Sequence, residues 1–395
     1  MSTQQPGSLP SKPPFWNDPA VRATVFQVIA LAAVLAVGGY LFHNTQVNLA
    51  NRGIASGFGF LDQTAGFGIV QHLIPYTETD SYGRVFWVGL LNTLLVAALG
   101  ILFATLLGFV LGVARLSKNW LIAKIALVYI ELFRNIPLLL QIFFWYFGVL
   151  RHLPAARDSV NVGDVIFLNI RGLYIPRPVF GDAFLFVVIA FFAAIAGTVF
   201  LARWAHRRQA ETGQPFHTFW VGLGILVGVP LLTFFLSGMP LSWEVPKLTG
   251  FNFRGGMVMI PELASLLVAL TIYTAAFIAE IVRSGILAVS HGQTEAAHAL
   301  GLQHGPTLRL VIIPQAMRVI IPPLTSQYLN VTKNSTLAAA IGYPDLVGLF
   351  AGTTLNQTGQ AIETISITMA VYLAISLLIS TLMNWYNKRK SLVER

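Results

Sequence analysis

The sequence predicts an all-α integral membrane protein with about eight transmembrane helices. Three observations carry this. Of 395 residues, 55% are hydrophobic and 10% are charged, where a soluble domain carries about 25% charged residues. Several runs of about 20 residues hold almost no charge, enough for a helix to cross about 30 Å of hydrocarbon. Those runs are continuous, unlike the alternating ten-residue segments of a membrane β-barrel. The net charge of +9 is read as a positive-inside bias and not as a nucleic-acid surface. The chain has no cysteine, which excludes disulfides and Cys-ligated metal centres.

In chain order, residues 1–22 are polar, with Pro6, Pro10, Pro13 and Pro14, and read as a disordered tail. The apolar run that follows is of membrane length and has no small-residue cleavage site, so it is not read as a signal peptide. Hydropathy places helices at roughly 23–43, 86–114, 120–150, 183–203, 217–237, 261–285, 318–345 and 363–386. The seventh contains Lys333, Asn334, Ser335 and Thr336, and Pro322, Pro323 and Pro344 are expected to bend or break it. The basic run "RWAHRRQAETGQ" joins the fourth and fifth helices as a loop. The stretch at 151–182 is of mixed charge and rich in proline, and is expected to form a small extracytoplasmic structure.

Orientation follows from counting lysine and arginine. With the N-terminus in the cytoplasm, fifteen fall on inside segments and their adjoining helix ends, and eight on the outside loops. Arg134 and Lys333 fall within spans. That asymmetry puts both termini and residues 286–317 inside.

The inside run "QTEAAHALGLQHGPTLRLVIIPQAMR", Gln293 to Arg318, breaks from the apolar pattern. Gln293 to Leu302 reads as a short helix. Glu295 sits near its N-terminus, where the helix dipole favours an acid. Ala296, Ala297 and Leu300 read as one low apolar face. Gly301 either permits close backbone approach or ends the helix. Gly305-Pro306 turns the chain, and Thr307 to Ile313 reads as a second short helix leading to Pro314. Two short helices with small residues outward make a docking knob.

The pattern Glu295-Ala296-Ala297, Gly301, Val311, Ile313, Pro314 resembles the EAA loop of ATP-binding-cassette importer permeases. "YIELFRNIPLLLQIFFWYFG", "YTAAFIAEIVRSGILAVSHGQTEAAHALGL" and "IPPLTSQYLNVTKNSTLAAAIGYPDL" resemble the core of polar amino-acid permeases; Asn135 stands where that pattern often has Gly. An extra N-terminal helix and an insertion at about 151–260 resemble the enlarged first permease subunit of general L-amino-acid and glutamate/glutamine/aspartate systems. The resemblance implies a type I ABC importer (MetI-like) core of five helices, plus one N-terminal and two inserted helices. It divides the chain into a tail (1–22), an extra helix with its periplasmic loop (23–85), the first core part (86–150), the insertion (151–260), the second core part (261–386) with its coupling loop (286–317), and a C-terminal tail (387–395).

It further implies a bacterial inner-membrane location, a second homologous permease subunit, two ABC ATPase subunits, a periplasmic amino-acid-binding protein and an L-amino acid as cargo. Membrane lipid surrounds the chain, and no nucleic acid is involved. Glu295, Ala296, Ala297, Leu300, Gly301 and Pro314 would couple to the ATPase. The chain has no G-x-x-x-x-G-K-[ST] phosphate loop, so no enzyme activity or cofactor is expected in it. ATP and Mg would sit on the partner ATPase.

Charged residues inside a membrane are functional candidates. Glu131 with Arg134, and Glu280 with Arg283, are three apart and share a helix face. Each pair either neutralises itself or belongs to a substrate path. Lys333 has no acid within four residues and is followed by Asn334 and Ser335. It is a candidate for an amino acid's carboxylate or an anchor for a broken helix. Gln141, Gln327 and Asn330 are candidate polar supports, and the histidines show no metal-ligand spacing. Two rival functions remain open. An ion-coupled secondary amino-acid transporter would leave the Glu295 run without a role, and an intramembrane enzyme lacks a supporting motif.

Overall fold

The structure is a computed structural model that describes Trp16, residues 18–51, Gly53 and residues 56–390. Most of the expected N-terminal tail, and residues 391–395, lie outside the described residues. Among those described, seven helices are long and apolar enough to cross a membrane, and one sharply bent pair makes an eighth candidate. Contacts divide the chain into two units, Met1–Leu90 with Leu346–Ile375, and Leu91–Asp345 with Ser376–Arg395.

The first unit holds α1 (Pro19–Asn51), whose apolar span has no buried residue. Its core gathers Phe60, Tyr76, Val85, Val88, Leu346, Leu349 and Phe350. Two long-range hydrogen bonds tie its strands of chain together: Gly57 N–H donates to Glu363 Oε1 at 2.7 Å, and Tyr82 Oη to Gln357 Oε1 at 2.7 Å. The short helix α11 (Leu355–Thr358) stops at Gly359, with φ +70°, before α12 (Ala361–Lys390) begins.

The second unit is built around α7 (Pro261–Leu287), which buries fourteen of its residues. Glycine lets its neighbours come close. On α2 (Tyr82–Arg115), a Cβ at Gly108 would stand 2.6 Å from Ile278, and one at Gly112 would stand 2.7 Å from Val282. Without solvent to drive association inside a membrane, such small-residue contacts supply the packing. Helix α10 (Ile313–Asn334) also packs on α7, with Ile320 over Gly285.

The expected single helix at 120–150 is two. Helix α3 (Trp120–Asn135) and the segment beginning with α4 (Leu138–Phe143) and running to His152 meet at 104°. Pro137 is the cause, because its ring disfavours helical geometry at Ile136, which is extended (φ −94°, ψ 126°). Gln141, expected as a polar support, holds this break. Its buried Nε2 donates to the carbonyls of Phe133 and Ile136 at 3.1 and 3.0 Å.

The expected loop "RWAHRRQAETGQ" is mostly helical. Helix α5 (Phe184–Thr212) carries it until Gly213, at φ +70°, ends the helix. Helix α6 (Thr218–Leu236) packs back on α5 through Gly222 and Thr198. Strands flank this hairpin. β1 (Val160–Val162), β2 (Ile166–Asn169) and β3 (Gly172–Ile175) form an antiparallel sheet with β8 (Met257–Met259). β4 (Arg177–Phe180) pairs with β5 (Leu241–Glu244) and closes the hairpin's base with the Arg177–Glu244 ion pair at 2.8 Å. β6 (Lys247–Thr249) pairs with β7 (Asn252–Arg254).

The seventh membrane helix departs from expectation at both ends. It starts at His304, well before 318. Pro322 and Pro323 lie inside α10 without interrupting it, whereas the winding tightens to a 3-10 helix at Ser335–Ile341 and ends on Gly342 at φ +78°. Asn92 Nδ2 donates to Pro344 O at 2.8 Å and fixes the turn that follows. The last helix also runs further than expected, to Lys390, into the stretch read as a tail.

Candidate functional site

The run around Glu295 forms α8 (His291–Ala299). It stops for a definite reason. Leu302 N–H donates to Ala297 O at 3.1 Å and Gly301 N–H to His298 O at 2.9 Å, with Gly301 at φ +80°. This is a Schellman end, which needs a left-handed residue after the cap. No atom lies within 4 Å of where a Cβ on Gly301 would be. Of the two roles open for Gly301, ending the helix is the one seen within this chain.

The expected apolar face of α8 is divided. Ala297 is 4% exposed and turned into the protein, whereas Ala296 is exposed and Leu300 is 83% exposed. The rotation is set by packing that a ten-residue sequence window cannot report. Gln315 Nε2 donates to Gln293 Oε1 at 3.1 Å and holds α8 against the start of α10. His291 Nδ1 lies 3.0 Å from Glu295 Oε1 on the exposed surface. A hollow of about 360 Å³ lies between the end of α7, α8 and the next turn, lined in part by Ser290, His291, Thr294 and His304.

The expected second short helix does not stand alone. Helix α9 (His304–Thr307), a widened π turn at Leu308–Ile312 and α10 run on without a break. Pro314 does not interrupt them. The π turn ends two residues before it, and such a local change of winding accommodates the N–H that proline lacks. The result is a short exposed helix strung between two long apolar ones.

The membrane charges also separate. Glu280 and Arg283 are paired, with Nη2 to Oε1 at 2.5 Å and Nε to Oε2 at 3.0 Å. Glu131 and Arg134, expected as a pair, form no ion pair among the described residues. Glu131 is exposed, while Arg134 turns from the end of α3 onto the ring of Phe277, 5.3 Å from its centroid. Its Nε is buried without a hydrogen-bond partner. Arg134 therefore meets a residue of another helix, a contact that spacing along α3 alone could not show.

Lys333 is exposed in the last turn of α10, and none of the described ion pairs includes it. Its neighbour Val331 packs on Gly100 near the middle of α2. Asn334 is half-buried; Ser335 is buried, and its hydroxyl donates to Thr332 O at 2.7 Å. Gln327 is half-buried and Asn330 exposed. Along α7, Arg134 lies against Phe277, whereas Val331, two residues before Lys333, lies near Leu270, seven residues or about 10 Å away at 1.5 Å per residue.

Fold and site together define a many-helix membrane component that carries a short exposed helix between two of its spans. Residues 197–391 match the family described as binding-protein-dependent transport system inner membrane component. Permease protein YhdX of Escherichia coli (strain K12) is 63% identical over 96% of this chain and 96% of its own length. General L-amino acid transport system permease protein AapQ of Rhizobium johnstonii is 54% identical, covering 96% of this chain and 94% of its own. Glutamate/glutamine/aspartate/asparagine transport system permease protein BztB of Rhodobacter capsulatus is 43% identical, covering 96% of each. The chain belongs to the amino-acid ABC transporter permeases. The rival reading as an ion-coupled secondary transporter finds no support in these relatives.

Proposed function

We propose that this chain is one permease subunit of an ATP-driven importer that moves L-amino acids from the periplasm to the cytoplasm, with α8 as the helix that receives the ATPase's motion. The observation that carries this reading is α8 itself. It is exposed and sharply ended, and it is joined at both ends to long membrane helices, so a push on it moves α7 and α10. In this reading Glu295, Ala296, Leu300 and Gly301 meet the ATPase, Ala297 seats α8 on its own chain, and Pro314 begins the helix that carries the motion inward. Both termini and the 286–317 segment are cytoplasmic. The core is 86–150 with 261–386, and the 151–260 insertion and the helix within 23–85 are additions.

The partners are a second, homologous permease, two ATPase subunits that hold ATP and Mg, and a periplasmic amino-acid-binding protein. An exposed lysine at mid-membrane depth costs about 3 kcal/mol against lipid. Lys333 therefore faces a polar path bordered by the second permease, with Asn334 and Ser335 beside it. Arg134, Glu131 and Glu280 lie nearer the cytoplasmic side and would meet cargo late in its passage.

Gly301→Asp tests the reading. A non-glycine residue at φ +80° is strained, and a carboxylate would enter the docking face. The expected result is normal membrane insertion, failure to capture the ATPase subunit, and loss of ATP-driven uptake in reconstituted vesicles. Uptake that ran on an ion gradient without ATP, or normal coupled uptake in this variant, would defeat the proposal.

A further inference from the structure

We propose that α3 lies along the cytoplasmic surface of the bilayer as an interfacial helix, with Arg115, Lys118 and Lys124 holding the headgroups of anionic phospholipids. The word cytoplasmic rests on the topology proposed above; the rest stands on geometry.

The segment after Pro137 runs along α7. Leu138 and Ile142 share a core with Leu263, Leu266 and Leu270, and Tyr146 Oη donates to Glu262 Oε1 at 2.7 Å. If α7 crosses the membrane, that segment follows it, and α3, at 104° to the segment, lies close to the membrane plane. Its depth follows from α7 too. Residues 263–279 carry no charge, a length of about 26 Å at 1.5 Å per residue. Glu280 and Arg283 then mark the boundary of the hydrocarbon, and the end of α3 reaches α7 about one turn inside it, where Arg134 covers Phe277.

Helix α3 presents three stripes. Ala126 and Ile130 are buried in the protein. Leu121, Ile125, Val128 and Leu132 are exposed, spaced four, three and four apart, so they form one apolar stripe. Lys124, Glu131 and Asn135 are exposed in a polar stripe beside it. A helix surrounded by hydrocarbon has no use for an exposed charged stripe, whereas a helix lying in the interface needs protein, acyl and water sides at once. Trp120, 74% exposed at the first turn, is the side chain expected at that boundary. Asn119 caps the start, accepting from Leu121 N at 3.0 Å and Ile122 N at 3.3 Å. From Arg115 to Lys124 there are three cations and no acid. That charge, next to an acyl-facing stripe, fits a lipid phosphate better than a protein surface.

The chain has no cysteine, so single spin labels can be placed cleanly in the assembled transporter. Leu121→Cys, Ile125→Cys, Val128→Cys, Leu132→Cys, Lys124→Cys and Glu131→Cys are reconstituted in phosphatidylcholine vesicles, with and without phosphatidylglycerol. Their accessibility to oxygen and to a water-soluble nickel chelate is then measured. The four stripe positions should share one shallow depth, while labels at 124 and 131 remain open to nickel. A steady change of depth from 121 to 132 would overturn the proposal, as would stripe labels shielded from both reagents by a protein partner. Reaction of the cysteine at 124 with an impermeant reagent from the periplasmic side would reverse the topology and leave the interfacial helix standing.

For the headgroups, phosphatidylglycerol should raise cargo-stimulated ATP hydrolysis about threefold, and in Lys118→Gln/Lys124→Gln that ratio should fall toward one. No response in the unaltered complex, or an unchanged ratio in the double variant, would overturn headgroup binding.

Discussion

Lys333 shows how much a single side chain can demand of its surroundings. It lies in the last turn of a regular helix, just before a 3-10 turn, and stays exposed two residues beyond Val331, which meets Gly100. A cation there is tolerated only if water or a polar partner reaches it. Lys333→Met keeps the length and the apolar stem but removes the charge. The variant is expected to assemble in normal amount and keep basal ATP hydrolysis. Its uptake should fall about tenfold or more, the scale of one charge-assisted hydrogen bond. A reduced amount of assembled complex would instead assign Lys333 to anchoring the irregular helix, and uptake at normal affinity would leave it with neither role. Ala297 carries a different lesson. It is buried against its own chain, so a bulky residue there would disturb the seating of α8 before it touched any partner.

At the scale of elements, the contact between α2 and α7 is a close helix packing that depends on glycine. Gly108 and Gly112 lie one turn apart on α2 and face Ile278 and Val282. The neighbours on α7 are branched and fully buried, so they cannot move aside as a flexible side chain would. Gly108→Ala should therefore destabilise the purified subunit by about 1–3 kcal/mol, the usual range for overpacking, read as a lower midpoint in thermal unfolding. Gly305→Ala is the control, because no atom lies within 4 Å of its Cβ position; it should leave the midpoint unchanged. Equal midpoints for both variants would show that the α2–α7 contact does not limit stability.

For the whole molecule, large apolar faces remain uncovered. Helix α1 buries no residue of its apolar span, and the α5–α6 hairpin packs almost wholly on itself. In a membrane these faces meet lipid or another subunit. The proposed assembly pairs this chain with an unlike permease. Native mass spectrometry of the purified transporter should accordingly give one copy of this chain, one second permease and two ATPases; two copies of this chain with no second permease would contradict it. The sequence by itself determined the membrane class, the approximate positions of most spans and the family, because each depends on composition or on a short pattern. It also read a short helix at Gln293 to Leu302, two residues inside the true start of α8 at His291, and left Gly301 with two possible roles. Tertiary structure alone decided the rest. Hydropathy cannot see the 104° turn at Pro137, since both sides of it are apolar. It read a loop where α5 continues, because charge alone does not end a helix. Spacing suggested a Glu131–Arg134 pair, but α3 ends just beyond Arg134 and Phe277 of another helix takes its guanidinium. The inward turn of Ala297 is likewise fixed by how α8 seats between α7 and α10. Local patterns report what a segment can form, whereas the direction a side chain faces is set by contacts between residues far apart in the chain.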